Sequence, residues 1–204
     1  MAAILEKLQN TVIAGIVLVI VLLVLVGATV GTASMGHDWG AFLLRYLHIL
    51  AGIMWIGLLY YFNFVQIPSM PKIPDDQKPA VGKVIAPAAL FWFRWAAMAT
   101  FIIGLLLALM NGYLLDAILI GFTDSGASTP IGIGMWLGTI MWFNVWFVIW
   151  PNQKRALGIV DADAETKKKS ARTAMLFSRT NTLLSIPMLY CMVAQSHGGF
   201  FAIG

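Results

Sequence analysis

The feature that most limits the fold of this chain is an apolar stretch, residues 12–30, that carries no charged side chain. About 20 apolar residues in a helix cross a bilayer core that is about 30 Å thick. The apolar region of a signal peptide is shorter, about 7 to 15 residues. We therefore predict that this stretch is a retained membrane anchor and that it forms the first of several spanning helices.

The composition of the whole chain supports the same class of fold. Hydrophobic residues make up 60% of the 204 positions and charged residues 11%, whereas a soluble domain carries about 25% charged residues. We predict an all-α, polytopic integral membrane protein with one transmembrane domain, 11–198, between a cytoplasmic tail, 1–10, and a C-terminal tail, 199–204. Five transmembrane helices are predicted, at about 12–33, 41–67, 87–109, 131–150 and 174–196.

The positions of the basic residues predict the orientation. With a cytoplasmic N-terminus, ten of the 13 lysines and arginines lie in cytoplasmic segments and none lies in an opposite loop, as the positive-inside rule requires. The ten are Lys7, Lys72, Lys78, Lys83, Lys154, Arg155, Lys167, Lys168, Lys169 and Arg172. Basic residues in short loops beside apolar runs are topology signals, so we expect no nucleic-acid partner. The predicted location is a bacterial inner membrane, with the C-terminus outside.

Arg45 and His48 lie in the outer half of the second predicted helix and share one helix face. Gly52 follows one turn later and Trp55 about one turn after that. An imidazole beside a glycine can reach a flat ring, and an arginine one turn outward can reach a propionate. This pattern predicts a b-type haem with His48 as the iron ligand, and His197 is the candidate second ligand.

Two other interpretations of the outer group remain open. A single intramembrane histidine can form a hydrogen bond to a neighbouring helix. Arg45 can extend to the membrane surface or pair with Asp38 or Asp116. The single cysteine, Cys191, excludes a C-x-x-C-H haem attachment within this chain.

A second polar group is predicted in the inner half of the membrane. Arg94 and Arg179 lie at one depth, with Asn144 and Asn181 nearby, and no predicted helix supplies a carboxylate there. Because an unpaired buried charge is costly, the arginines require lipid phosphates, backbone carbonyls or an anionic ligand. In the fourth helix, Gly134 and Gly138 are spaced for close approach of a neighbouring helix.

Several short motifs resemble the urate oxidase N-terminal domain family, the membrane part of bacterial membrane-bound urate hydroxylases. They occur in the family's order over residues 36–198: GHDWG at 36–40, LRYLH at 44–48, AGIMWIG at 51–57, NVW at 144–146, IWPNQK at 149–154, and SRTNT at 178–182 followed by Pro187. The resemblance implies a membrane redox domain. Full-length members end in a c-type cytochrome, which we do not expect in this chain, and the family commonly has histidine where Thr180 stands.

These observations leave two principal functions and do not decide whether the chain is an enzyme. One is a redox membrane protein that binds haem through His48 and passes electrons to a separate cytochrome or quinone. The other is a non-catalytic accessory subunit of a larger respiratory, photosynthetic or oxygenase complex. A channel or carrier for a small anion would use the same arginines, but the sequence lacks the broken-helix repeats common in transporters. The lipid bilayer and partner membrane subunits are the expected partners.

Overall fold

The computed structural model describes residues 2–30 and 36–197, and all regular structure within these ranges is helical. The predicted C-terminal tail, 199–204, and positions 31–33 of the first predicted helix lie outside the described residues. The α-helices are α1 Ala2–Leu5, α2 Leu8–Val30, α3 His37–Tyr60, α4 Ile67–Ser69, α5 Lys78–Ala80, α6 Ala86–Met110, α7 Leu114–Ile118, α8 Thr129–Phe143, α9 Trp150–Ala156 and α10 Ala164–His197.

Three π-helical segments connect these helices, and each ends two residues before a proline. They are Tyr61–Gln66 before Pro68, Val81–Ile85 before Pro87, and Asn144–Ile149 before Pro151. Proline has no N–H for the carbonyl four residues earlier, and its ring crowds that carbonyl. A wider turn relieves the crowding, so the helical path continues through each proline instead of ending.

Four helical stretches are long and apolar enough to cross a membrane: Leu8–Thr29, His37–Lys72, Lys78–Met110 and Thr129–Ala156. By this criterion the predicted five spanning helices are corrected to four in the described chain. The fifth predicted span, 174–196, lies within α10. Polar residues at 178–182 and at Ser185 lower its apolar content.

The chain divides into two compact units, Met1–Phe42 and Leu43–Gly204. In the first unit, the Thr11 hydroxyl donates to the backbone oxygens of Ile4 at 3.1 Å and Lys7 at 3.2 Å, which connects α1 to α2. No residue in the apolar window of α2 is buried. The apolar helix α2 of this unit therefore has an exposed surface.

The core of the second unit lies where α3 (from Leu43), α6, α8 and α10 pack together. Phe93, Leu59, Met141 and Val145 are its largest fully buried apolar side chains. Gly134 of α8 lies so close to α10 that an added Cβ would be 3.2 Å from the Cβ of Cys191. Gly138 has nothing within 4 Å of that position, so only one glycine of the predicted pair permits close packing.

Glycines with positive φ end α6 and α9 and position the turns that follow. After α6, Gly112 has φ of 78° and donates to Leu109 O, while Tyr113 donates to Ala108 O. Gly158, with φ of 71°, follows α9 in the same way. This pattern is the Schellman motif, which satisfies the last carbonyls of a helix.

Candidate functional site

His48 is held by two residues of the neighbouring helix α6. Its Nδ1 lies 2.9 Å from the backbone oxygen of Thr100. Its ring packs against Gly104, where an added Cβ would be 2.8 Å from Cε1. A carbonyl can only accept a hydrogen bond, so Nδ1 carries the proton and the neutral ring keeps its lone pair on Nε2. His48 is therefore oriented by α6, with Nε2 left as the potential metal ligand.

Gly52 and Trp55 lie on the side of α3 that α6 covers. An added Cβ on Gly52 would be 3.9 Å from the Cγ2 of Thr100, an ordinary van der Waals distance, so this glycine faces a side chain of α6. Trp55 is 2% exposed and belongs to the core. The glycine that makes room for the imidazole is Gly104 on the opposite helix, a residue that the sequence did not identify.

Arg45 and His197 are both exposed. Burial raises the pKa of Tyr113, and the charge of nearby Arg45 opposes this change. Asp116, a predicted partner of Arg45, instead accepts a hydrogen bond of 2.6 Å from Thr123. The Nδ1 of His197 lies 3.1 Å from Val193 O of its own helix. Among the described residues, no contact joins His197 to His48.

The two predicted anion-binding asparagines bind each other inside the core. The Nδ2 of Asn144 donates to the Oδ1 of Asn181 at 2.8 Å, and the Nδ2 of Asn181 donates to Met141 O at 2.9 Å. Asn181 is fully buried and Asn144 is 6% exposed. Their amide groups therefore connect α10 to α8 and to the π-helical segment that follows α8, and they do not line an open ligand site.

Two further polar contacts connect α10 to α3 and the π-helical segment that follows it. The Nδ2 of Asn63 donates to the Ser178 hydroxyl at 2.8 Å. The Ser185 hydroxyl donates to Thr182 O, so it accepts the hydrogen bond of 3.0 Å from Tyr60. Sequence reasoning missed these contacts, although residues 178, 181 and 185 have the spacing of one helix face.

Arg94 packs on an aromatic surface formed by Trp146 and Trp150. Its Cζ lies 3.4 Å from the ring centroid of Trp150 and 5.6 Å from that of Trp146. Its Nε donates to Leu90 O at 3.3 Å. The Nζ of Lys154 lies 5.7 Å from the Trp150 centroid. Arg179 is exposed on α10, so the four predicted anion-binding residues do not converge.

In the comparison with known proteins, part of the chain matches one protein family. Residues 118–203, from the end of α7 to beyond α10, match the family described as urate oxidase N-terminal. The resemblance predicted from the sequence is thus confirmed over this segment, which includes Asn144, Trp150 and Asn181. No curated protein and no solved structure matches the chain.

Proposed function

We propose that this chain, in which residues 118–203 match the urate oxidase N-terminal family, is a membrane-embedded redox protein that binds a b-type haem through the Nε2 of His48. It would pass electrons to a separate cytochrome or quinone. The family match supports the class of protein. The orientation of His48 is the single observation that supports the site.

The contacts of His48 fit those of an axial ligand. Metal-binding histidines commonly donate their second N–H to a carbonyl or carboxylate, which fixes the tautomer and the ring orientation. Here the carbonyl of Thr100 has that role, 2.9 Å from Nδ1. Gly104 leaves room for the ring because it has no side chain. Arg45 is exposed one turn earlier in α3, where it would pair with a propionate of the haem. A bound haem would supply one-electron transfer.

The surface of α10 supports a membrane crossing that its overall composition does not indicate. Its polar residues Ser178, Asn181 and Ser185 are buried against other helices. Its large apolar residues Leu183, Ile186 and Val193 are 67%, 66% and 60% exposed. A helix that buries its polar side and exposes apolar side chains is suited to lipid. We propose that α10 crosses a bacterial inner membrane and that its first residues lie on the cytoplasmic side. This orientation agrees with the proposed cytoplasmic position of the N-terminus of the chain.

A reduced-minus-oxidised visible spectrum of the purified full-length protein tests the haem proposal. We expect a haem α-band that is lost in His48→Ala and kept in His37→Ala. Gly104→Ala should shift or weaken the band because its Cβ displaces the imidazole. Gly138→Ala, where an added Cβ meets nothing within 4 Å, is the matched control. A colourless protein, or a band that His48→Ala leaves unchanged, would refute haem binding at this residue.

The exposed surface of α2 favours a second candidate, an accessory subunit of a larger membrane complex. This helix is apolar on every side, and none of its apolar window is buried. Such a helix faces either lipid or a partner helix. A colourless chain that purifies in a fixed ratio with a larger complex would support this function over the redox one.

A further inference from the structure

Beyond the proposed haem site, we propose that Arg94 and Lys154, held on the ring of Trp150, bind a phosphate group. The two cations lie on different helices, α6 and α9, and share this one indole. The Cζ of Arg94 is 3.4 Å from its centroid and the Nζ of Lys154 is 5.7 Å from it. All three side chains are half-buried, so the site is neither closed nor fully hydrated.

The guanidinium of Arg94 is fixed in a way that leaves its terminal nitrogens free. Its face packs on Trp150, and its Nε donates to Leu90 O at 3.3 Å. Among the described residues, no acceptor forms a hydrogen bond with the terminal nitrogens. A guanidinium held on an aromatic face presents its N–H edge to a ligand, and that edge matches two oxygens of a phosphate.

Among the described residues, no carboxylate forms an ion pair with Arg94 or Lys154. The ion pairs of the described chain are His37–Asp38 and Lys78–Asp75, and neither includes Arg94 or Lys154. Two cations on one ring repel each other, and a half-buried charge without a counterion is costly. A bound phosphate would reduce both penalties, and in the proposed site it accepts hydrogen bonds from the Arg94 guanidinium and the Lys154 amine.

The position of the site agrees with a ligand at a membrane surface. The Arg94 side chain extends toward Leu90, one turn nearer the start of α6. Lys154 lies near the end of the stretch Thr129–Ala156. Both belong to helical stretches that are long and apolar enough to cross a membrane. Lys154 lies two residues from the end of its stretch, and Arg94 lies about two turns inside α6, which begins at Ala86. A phospholipid phosphate at the Lys154 end of the stretch would be reached by Arg94 from within the bundle, and a soluble phosphate ester would have the same chemistry.

Native mass spectrometry of the purified full-length protein tests the proposal with defined probes. Phosphatidylglycerol and phosphatidylcholine carry a phosphate, and diacylglycerol does not. We expect both phospholipids to bind and diacylglycerol not to bind. Arg94→Gln and Lys154→Gln should each weaken phospholipid binding about tenfold, the effect of losing one charged hydrogen bond. Displacement by inorganic phosphate would indicate a soluble ligand, and its failure to compete would indicate a lipid headgroup.

Arg172→Gln is the matched control because it removes an exposed arginine of α10 that lies before the predicted span 174–196. We expect it to bind phospholipid like the unaltered protein. Equal binding of diacylglycerol, or an equal loss in Arg172→Gln, would overturn the proposal. Unchanged binding in Arg94→Gln and Lys154→Gln would also overturn it. If Arg94→Gln does not fold, Lys154→Gln decides alone, since Lys154 lies near a helix end.

Discussion

At the scale of single residues, pairs of polar side chains connect α10 to its neighbouring elements. Asn144 and Asn181 bind each other, Asn63 binds Ser178, and Tyr60 binds Ser185. Each contact joins α10 to another element. A buried amide that loses its partner keeps the cost of desolvation without the hydrogen bond, so these pairs fix how α10 packs.

The hydrogen bond between Asn144 and Asn181 can be tested by asking whether a second substitution raises or lowers the stability of the first variant. Asn181→Leu should lower the free energy of unfolding by about 1–3 kcal/mol, because it leaves the Asn144 amide buried without its partner. Asn144→Leu/Asn181→Leu should recover part of that loss, because no buried amide then remains. The measurement is equilibrium unfolding in detergent. Thr180→Val, an exposed position on α10, serves as the control. A double variant less stable than Asn181→Leu would contradict the pairing.

Sequence reasoning identified the polar residues but not their partners. Hydropathy gives the depth of a residue along a helix, and it does not fix rotation about the helix axis. His48 was therefore assigned to the glycine on its own helix, Gly52, whereas its ring packs on Gly104 of α6. Arg94 was grouped with Arg179 by depth, whereas its partner is Trp150. Contacts between helices required the three-dimensional structure.

At the scale of secondary-structure elements, the start of α10 depends on one carboxylate. The Oδ1 of Asp163 accepts the Thr166 N–H at 2.8 Å, and its Oδ2 accepts the Thr166 hydroxyl at 2.7 Å. These bonds, first from the hydroxyl and then from the N–H, lower the pKa of Asp163 below its ordinary value of 3.8. Asp163 is the N-cap of α10, where a side-chain acceptor satisfies a free backbone N–H.

The lowered pKa predicts that the start of α10 opens in acid. The stabilisation is fully present above pH 3.8, the ordinary pKa, and is lost as the pH falls through the lower pKa of the folded state. Exchange of the backbone N–H groups of Thr166 and Lys167, corrected for its intrinsic pH dependence, should therefore accelerate as the pH falls below 3.8.

Asp163→Ala should exchange rapidly already at neutral pH and show no further acid step. Asp161→Ala, at an exposed position two residues earlier, should behave like the unaltered protein. An acid step that persists in Asp163→Ala would assign the effect to another group.

At the scale of the whole molecule, the sequence predicted the helical class, while helix lengths depended on local chemistry that it did not reveal. The predicted helix 41–67 is extended to Lys72 by the π-helical turn before Pro68. The predicted helix 131–150 is extended to Ala156 by the π-helical turn before Pro151. Apolar runs show where a helix can cross a bilayer, but they do not show that a helix continues through a proline.

The proposed crossing of α10 determines on which side of the membrane the chain ends. Four crossings would place both ends on one side, and a fifth would place the C-terminus opposite the N-terminus. Single-cysteine labelling with a membrane-impermeant maleimide decides between them, in a Cys191→Ala background that removes the only native cysteine. Asp76→Cys and Lys168→Cys should react only after the membrane is opened, whereas Ala127→Cys and Ser196→Cys should react in intact spheroplasts. If Ser196→Cys reacted only after opening, α10 would not cross, and its exposed apolar side chains would require a partner subunit instead of lipid.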